Sequence, residues 1–376
     1  MKIGILTFHA PHNRGSMLQA YAIQNIITRL DSNNSVEIIN FSNLKQRDMY
    51  ALFRKVDSWK DLLLNCFKLV FYSKFKRYFC DFTKFSERNL VISHEDLSLS
   101  TDLVRLNGRY EYLVAGSDQI WNTKCYDADN AYFLGWSDCP HKIAYAPSFG
   151  ANDLNLLENK DQYKEWINQF QSISIREYNG EKWLKVLTGR DVDVVLDPTL
   201  LLQKKEWDNL ANEIMDLPKQ FIFFYSTSYP ENVCRFVHKY AKECGLPVII
   251  TDIKNWALKG WKYKFLLAKH GGPNAFLTLI KNATLVFTSS FHGTAFSIIF
   301  EKKFYYLDDG KRQPSDDRAL TLIEDMGLIC RFKNVDTDFL SDSEFFSPID
   351  YNIVNERLKK RKEFSLSWLK KALNCL

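Results

Sequence analysis

The chain has 376 residues, 46% hydrophobic and 25% charged, with a formal net charge of +5. That length exceeds one ordinary domain, so two are expected, and the composition is that of a globular protein rather than a disordered or fibrous one. The small net charge argues against nucleic-acid binding, and no apolar run approaches the roughly 18 residues that a membrane span needs.

The eight Cys are scattered, with no C-x-x-C and no Cys/His grouping at zinc spacing. A reduced, cytoplasmic setting with mostly inert thiols is expected, and no metal site. His9 ends the short apolar run after Lys2, so no secretory leader is expected.

In chain order, "KIGILTF" reads as a buried strand and "HAPHNRGS" as the polar loop after it. Residues 17–30 carry the 3.6-residue period of a helix, and residues 36–39 read as a second strand. Strand, loop, helix, strand opens a βαβ unit and favours a parallel sheet. Residues 50–85 interrupt this pattern with eleven aromatics and eight Lys/Arg against three Asp. They read as a helical insertion near 50–90 whose rings pack on the domain or on a second subunit. The alternative is a surface for an anionic membrane or a diphosphate-linked lipid carrier.

Beyond it, "YEYLVAGSDQIWN", "KIAYAPSFGA", "SISIRE" and "DVDVVLDPTLLL" each read as a strand running into a loop. A second series begins near residue 220: "FIFFYSTS" as strand, 231–243 as helix and "LPVIITD" as strand. "GGPNAFLTLIKNA" is a glycine loop feeding a helix. "TLVFT" is a strand, "SSFHG" a turn with His292 in it, and "TAFSIIF" a helix, before the strand "KKFYYLD". Residues 357–373 read as a basic terminal helix.

The expected fold is therefore α/β, with two Rossmann-like domains facing across a cleft in a GT-B-like arrangement. The first would span 1–205 with the insertion and the second 215–350, and 351–376 would return to brace the first.

In such sheets ligands bind outside the carboxyl ends of the strands, where helix N-termini favour anions. That edge collects His12, Asn13, Arg14, Gly15, Ser117, Asp118, Arg176, Gly271, Gly272, Ser290, His292 and Gly293, a set suited to a small polyanion. Each has a plainer reading. Asp118 and Asp197 are placed to cap the turns that follow them, Arg176 to make an ion pair, and His292 to hydrogen-bond a neighbouring loop. Asp191 and Asp193 resemble a metal-binding Asp-x-Asp but fall at the wrong end of their strand. Walker A and G-x-G-x-x-G fingerprints are absent.

Taken together and in order, "MKIGILTFHAPHNRGSMLQAYAIQ", "YLVAGSDQIWN", "IAYAPSFGA", "SISIRE", "VVLDPTLLL", "GPNAFLTLIKNATLVFTSSFHGTAFSIIF" and "KKF" resemble the polysaccharide pyruvyl transferase family, from residue 1 to about 328. The resemblance implies transfer of the pyruvyl group of phosphoenolpyruvate to a sugar, usually as a cyclic ketal on two hydroxyls. The acceptor would be part of a polysaccharide precursor such as that of a capsule or exopolysaccharide, or a sugar on a polyprenyl diphosphate lipid, with peripheral contact at the inner membrane face.

It implies no cofactor beyond that donor, His292 as the catalytic acid/base, and Arg176 beside the phosphoenolpyruvate. His12, Asn13, Arg14, Gly15, Ser117, Asp118, Gly272, Ser290 and Gly293 complete the expected substrate-binding set. Arg14 departs from the pattern, standing where an aromatic is common in H-N-x-G. The alternatives are a nucleotide-sugar-dependent glycosyltransferase of the same fold and a non-catalytic subunit of polysaccharide assembly.

Overall fold

The structure is a computed structural model that describes residues 1–311, 317–335 and 347–374. It contains two six-stranded sheets, every pairing parallel. The first is built from β1 (Lys2–Leu6), β2 (Ser35–Ile38), β3 (Tyr112–Ala115), β4 (His141–Ala144), β5 (Ser172–Ile175) and β6 (Asp193–Val194). The second is built from β7 (Ile222–Tyr225), β8 (Val248–Ile250), β9 (Phe265–Leu267), β10 (Leu285–Thr288), β11 (Phe304–Asp308) and β12 (Phe332–Asn334). The central strands are almost continuously apolar because helices cover both faces, leaving no side to alternate toward water.

Strand order locates the functional edge. The first sheet runs β2-β1-β3-β4-β5-β6 and the second β9-β8-β7-β10-β11-β12. The order reverses between β1 and β3 in one sheet, and between β7 and β10 in the other. At such points successive connections leave to opposite faces and open a crevice beyond the strand ends.

Those strands deliver the loops after Leu6, Ala115, Tyr225 and Thr288. Helix Arg14–Leu30 starts at the first of them, where the Asn13 side chain accepts hydrogen bonds from the Gly15 and Ser16 amides. This cap fixes the place where the helix begins. Apolar faces of this helix, of Pro273–Asn282 and of Phe291–Ile299 pack into one core shared by both halves.

Two elements differ from their expected bounds. The "DVDVVLDP" strand pairs only over Asp193–Val194, because the Leu196 amide donates to Ser365 Oγ at 3.0 Å instead of to a neighbouring strand. Ser365 belongs to the terminal helix, Tyr351–Ala372, which starts earlier than its periodicity suggests because Asp350 caps it through the Asn352 amide. The helix begins at the second half, where Tyr351 donates to Lys302 O. It then crosses to the first, where Arg361 donates to Val194 O at 3.1 Å and Lys362 to Leu202 O at 2.8 Å.

The basic aromatic segment folds as helices Trp59–Val70 and Tyr72–Asn89. The second crosses onto the other half, with Tyr78 Oη donating to Ala268 O at 2.7 Å and Asp81 accepting from the Gly271 amide at 3.1 Å. A Cβ on Gly271 would lie 2.2 Å from the Tyr78 ring, and one on Gly272 2.6 Å from Asp81 Cβ. The glycine pair is what lets this helix approach. Gly272, expected to touch substrate, therefore serves packing and lines no cavity described below.

Candidate active site

The two switch points face each other and enclose a cavity of about 280 Å³. Asn13, Asp118 and Gln119 line it from the first half. From the second come Tyr225, Thr227, Ser228, Ser289, Ser290, His292, Asp308, Asp309 and Arg318.

Three helices start at its wall: Glu231–Cys244 after Pro230, Phe291–Ile299 after Ser290, and Arg318–Asp325 after Asp317. Among the described residues none has a side-chain hydrogen bond from its N-cap residue, although in the first the Val233 amide donates to Asn232 Oδ1 at 3.0 Å. Each start carries the positive end of a helix dipole and amides directed outward. Three such starts with Arg318 favour an anion, against the carboxylates of Asp118, Asp308 and Asp309 that line the same cavity.

His292 is the second residue of its helix, not part of the turn before it. It is 8% exposed, and its Nε2 has no hydrogen-bond partner among the described residues. That nitrogen stands 3.8 Å from Asp197 Oδ2. The other side of the ring lies against the backbone of Gly15, where an added Cβ would come within 2.1 Å of Nδ1. Burial pushes the His292 pKa below the ordinary histidine value, helped by Arg176 and Arg318 and opposed by Asp197 and Asp118. The imidazole is thus neutral at neutral pH in the free protein.

Behind His292 lies a buried charge cluster. Arg176 is 3% exposed and donates to Asp197 Oδ2 at 2.7 Å, with Asp118 Oδ1 at 3.5 Å and the Phe291 ring centroid 4.5 Å from its guanidinium carbon. Asp197 also accepts from the Thr199 amide, so it is both the turn cap read from the sequence and a member of the cluster. Asp118 likewise accepts from the Gln119 amide, and from Ser16 Oγ at 2.6 Å. Burial pushes the Asp118 pKa up, but His292, Arg176, Ser16 and Arg318 outweigh it and hold the carboxyl below its usual range.

Of the expected site residues, the structure brings Asn13, Asp118, Ser290 and His292 to the cavity wall, with Gly15 directly behind the imidazole. Arg176 and Ser117 stand one layer back. Ser117 Oγ donates to Ala146 O at 2.7 Å and lies 3.2 Å from Asp197 Oδ2. Gly293 packs on the end of β10, where a Cβ would meet Thr288 Oγ1 at 2.1 Å.

Arg14 turns away from the cavity and joins the two halves. It donates to Gly271 O at 2.7 Å and to Thr251 O at 3.1 Å, and lies over the Phe82 and Tyr225 rings. His12 stacks on Phe82 with ring centroids 4.9 Å apart, and burial pushes its pKa down to about 4. Sequence reasoning missed Arg318, Asp308, Asp309 and the clustering of Asp197. Asp308 stands at the carboxyl end of β11 and was reachable by the strand-end rule. Arg318 follows no strand and carried no such signal.

The sequence matches the model of the family described as polysaccharide pyruvyl transferase over residues 13–310. The chain belongs to the polysaccharide pyruvyl transferase family. No curated protein matches it.

Among solved structures, S. aureus MnaA, in a co-structure with UDP, superposes with a TM-score of 0.55 at 10% identity, covering 100% of this chain and 97% of that one. UDP-GlcNAc 2-epimerase from Methanocaldococcus jannaschii gives 0.50 at 10% identity, covering 97% and 93%. A putative UDP-N-acetylglucosamine 2-epimerase from Listeria monocytogenes gives 0.50 at 10% identity, covering 99% and 91%. At these identities the likeness is one of fold: an α/β chain of two Rossmann-like domains in the GT-B-like arrangement. Membership of the family makes the protein a transferase of polysaccharide biosynthesis, and no helix among the described residues is long and apolar enough to cross a membrane.

Proposed function

We propose that this family member transfers the pyruvyl group of phosphoenolpyruvate to two hydroxyls of a sugar in a polysaccharide precursor, releasing phosphate. The observation that carries the reading is the convergence of three helix starts, Arg318 and a neutral, buried His292 on one small cavity. Phosphoenolpyruvate carries a phosphate and a carboxylate, and fixed amides with one guanidinium suit both.

The chemistry needs a proton at the methylene carbon and the loss of one proton from each attacking hydroxyl. The first hydroxyl oxygen bonds to the central carbon as the methylene becomes methyl. The second displaces phosphate, which leaves with the remaining proton. His292 accepts a hydroxyl proton and returns it, a task suited to an imidazole whose neutral form dominates near pH 7. Asp197, held by Arg176 and Thr199, is a positioning residue that stabilises the imidazolium once formed. The amides and Arg318 hold the donor, and no step requires a further cofactor. The test is phosphate release from phosphoenolpyruvate with a panel of saccharide diols, scored together with the mass of pyruvyl gained by the saccharide.

The second reading, a nucleotide-sugar transferase, is favoured by Asp308 and Asp309 on the cavity wall. Their carboxylates suit ribose or sugar hydroxyls. A nucleotide-sugar that protects the protein while phosphoenolpyruvate does not would select it.

The site of action in this reading is an anionic membrane surface. On helix Trp59–Val70, the side chains Trp59, Leu62, Leu63, Leu69 and Val70 form one stripe at helical spacing and all are exposed, Val70 by 76%. Lys55, Lys60, Lys76 and Arg77 of the same segment are exposed too, Lys55 paired with Asp57. An outward apolar stripe in a segment rich in exposed cations complements a surface of anionic headgroups over hydrocarbon.

A further inference from the structure

The second half carries an apolar surface of its own, beside the end of the first insertion helix. Beyond β8 the chain runs as one short helix, α over Ile253–Asn255, π over Trp256–Gly260 and α again over Trp261–Tyr263. Asp252 caps it by accepting from the Asn255 amide at 2.6 Å. A π turn is uncommon and is found most often at functional sites. Gly260 is required there for space, since a Cβ would lie 2.9 Å from Trp256 Cδ1.

The wide turn and the insertion enclose a cleft of about 380 Å³ between Phe71, Trp256, Ala257, Gly260, Trp261 and Phe265. No side chain of this lining is charged, and the Trp261 indole N–H donates to Leu258 O at 3.2 Å within its own turn. The Phe71 ring meets Trp256 edge-on, with centroids 5.9 Å apart. Phe71 directly follows Leu69 and Val70, the end of the exposed stripe on helix Trp59–Val70. Trp261 is 80% exposed, and Leu258 and Leu266 are exposed as well. The apolar surface therefore runs from the insertion through the cleft and onto the second half.

Charge decides what covers it. Residues 254–269 hold five Lys and no Asp or Glu. Of the nearby carboxylates, Glu231 pairs with Lys262 and Asp252 holds the cap. Lys259 donates to Tyr229 O at 2.6 Å, while Lys254, Lys264 and Lys269 are exposed and form no ion pair among the described residues. A second copy seated here about a two-fold axis would set these lysines against their own images. An anionic lipid surface instead gives the lysines their counter-charge and gives Leu258, Trp261 and the cleft hydrocarbon, and tryptophan favours that boundary.

We propose that this surface is a second membrane-inserting element, in which Leu258 and Trp261 enter the headgroup–acyl boundary and the cleft seats an acyl chain of an anionic lipid. The inference rests on the membrane reading and goes beyond it, because the footprint then spans both halves rather than the insertion alone. Contacts on two halves fix the orientation of the protein on the bilayer, where one helix would leave it free to roll about its own axis.

The test uses the full chain with vesicles of phosphatidylcholine containing about a third phosphatidylglycerol, beside phosphatidylcholine alone. Binding is scored by flotation and by quenching of tryptophan emission with lipids brominated on their acyl chains. Leu258→Ser with Trp261→Ser should weaken binding to the anionic vesicles about ten-fold or more, at an unchanged Tm because both side chains are already exposed. Trp261→Phe should keep most of the binding and lose part of the quenching, which places this indole among the acyl chains.

A double variant that floats as well as the parent, or quenching unchanged in Trp261→Phe, would overturn the second element and leave the insertion as the membrane contact. A parent that does not float at low salt removes the membrane reading itself, and this inference with it. Self-association of the parent in sedimentation velocity without vesicles, abolished in the double variant, would overturn the proposal by assigning the surface to a second copy.

Discussion

The His292 imidazole rests on the backbone of Gly15, so closely that a methyl group there would come within 2.1 Å of Nδ1. The contact joins the start of the first helix in one half to the His292 helix of the other. Glycine is required here for space rather than for an unusual backbone angle. Gly15→Ala should displace the ring and lower turnover about a hundred-fold, the scale of a roughly 1 Å misplacement. It should also cost about 1–3 kcal/mol of stability through overpacking. In a His292→Ala background the same substitution should be nearly neutral in Tm, and equal destabilisation in both backgrounds would show that the contact does not matter.

His292 itself gives two pH signatures. Burial lowers its folded pKa below 6.5, so the acid limb of kcat/KM should fall below the usual histidine range and vanish in His292→Gln. That variant should lose about two to four orders of magnitude in kcat.

The stability effect has a definite sign. The unfolded histidine takes a proton near 6.5 and the folded one does not, so protonation favours unfolding. His292 contributes stability above that value, and the contribution is lost as pH falls through the folded pKa. Denaturant titrations should show His292→Gln less sensitive to acid than the parent below about pH 6.5.

Arg176 is a buried partner rather than a cavity wall. Arg176→Met should leave Asp197 charged and unpaired, and cost about 3–5 kcal/mol of unfolding free energy. An unchanged Tm with a raised KM for phosphoenolpyruvate would instead make Arg176 a direct donor ligand.

The membrane surface predicts binding of the full chain to vesicles containing about a third phosphatidylglycerol, weakening with salt as the headgroup charge is screened. Replacing Trp59, Leu63 and Val70 with Ser, all exposed, should reduce binding without changing Tm. No flotation of the parent at low salt would remove this part of the account.

Much of the architecture was legible because its signals are local. Apolar runs of four or five residues ending in Gly, Ser, Asn or Asp marked the strands and the edge where they finish, and the S-F-H-G turn marked the imidazole. What stayed hidden depends on distant packing. Nothing near Arg14 announces that its donors reach Gly271 and Thr251 in the other half. Nothing near Gly272 announces the helix that crosses it. The basic aromatic segment looked undivided in sequence. In the structure one helix turns Leu64 and Lys68 toward a cavity and Leu63 and Val70 toward solvent, a separation that helical spacing allows but cannot assign without knowing what lies on each side.

The most direct test of the central claim is a thermal-shift titration of the protein with phosphoenolpyruvate beside phosphate, pyruvate and nucleotide-sugars, repeated on Arg318→Ala. The account predicts stabilisation by phosphoenolpyruvate, about 2.7 kcal/mol at a hundred times Kd, and a right-shifted titration in the variant. Stabilisation by a nucleotide-sugar alone, with phosphoenolpyruvate inert, would contradict it.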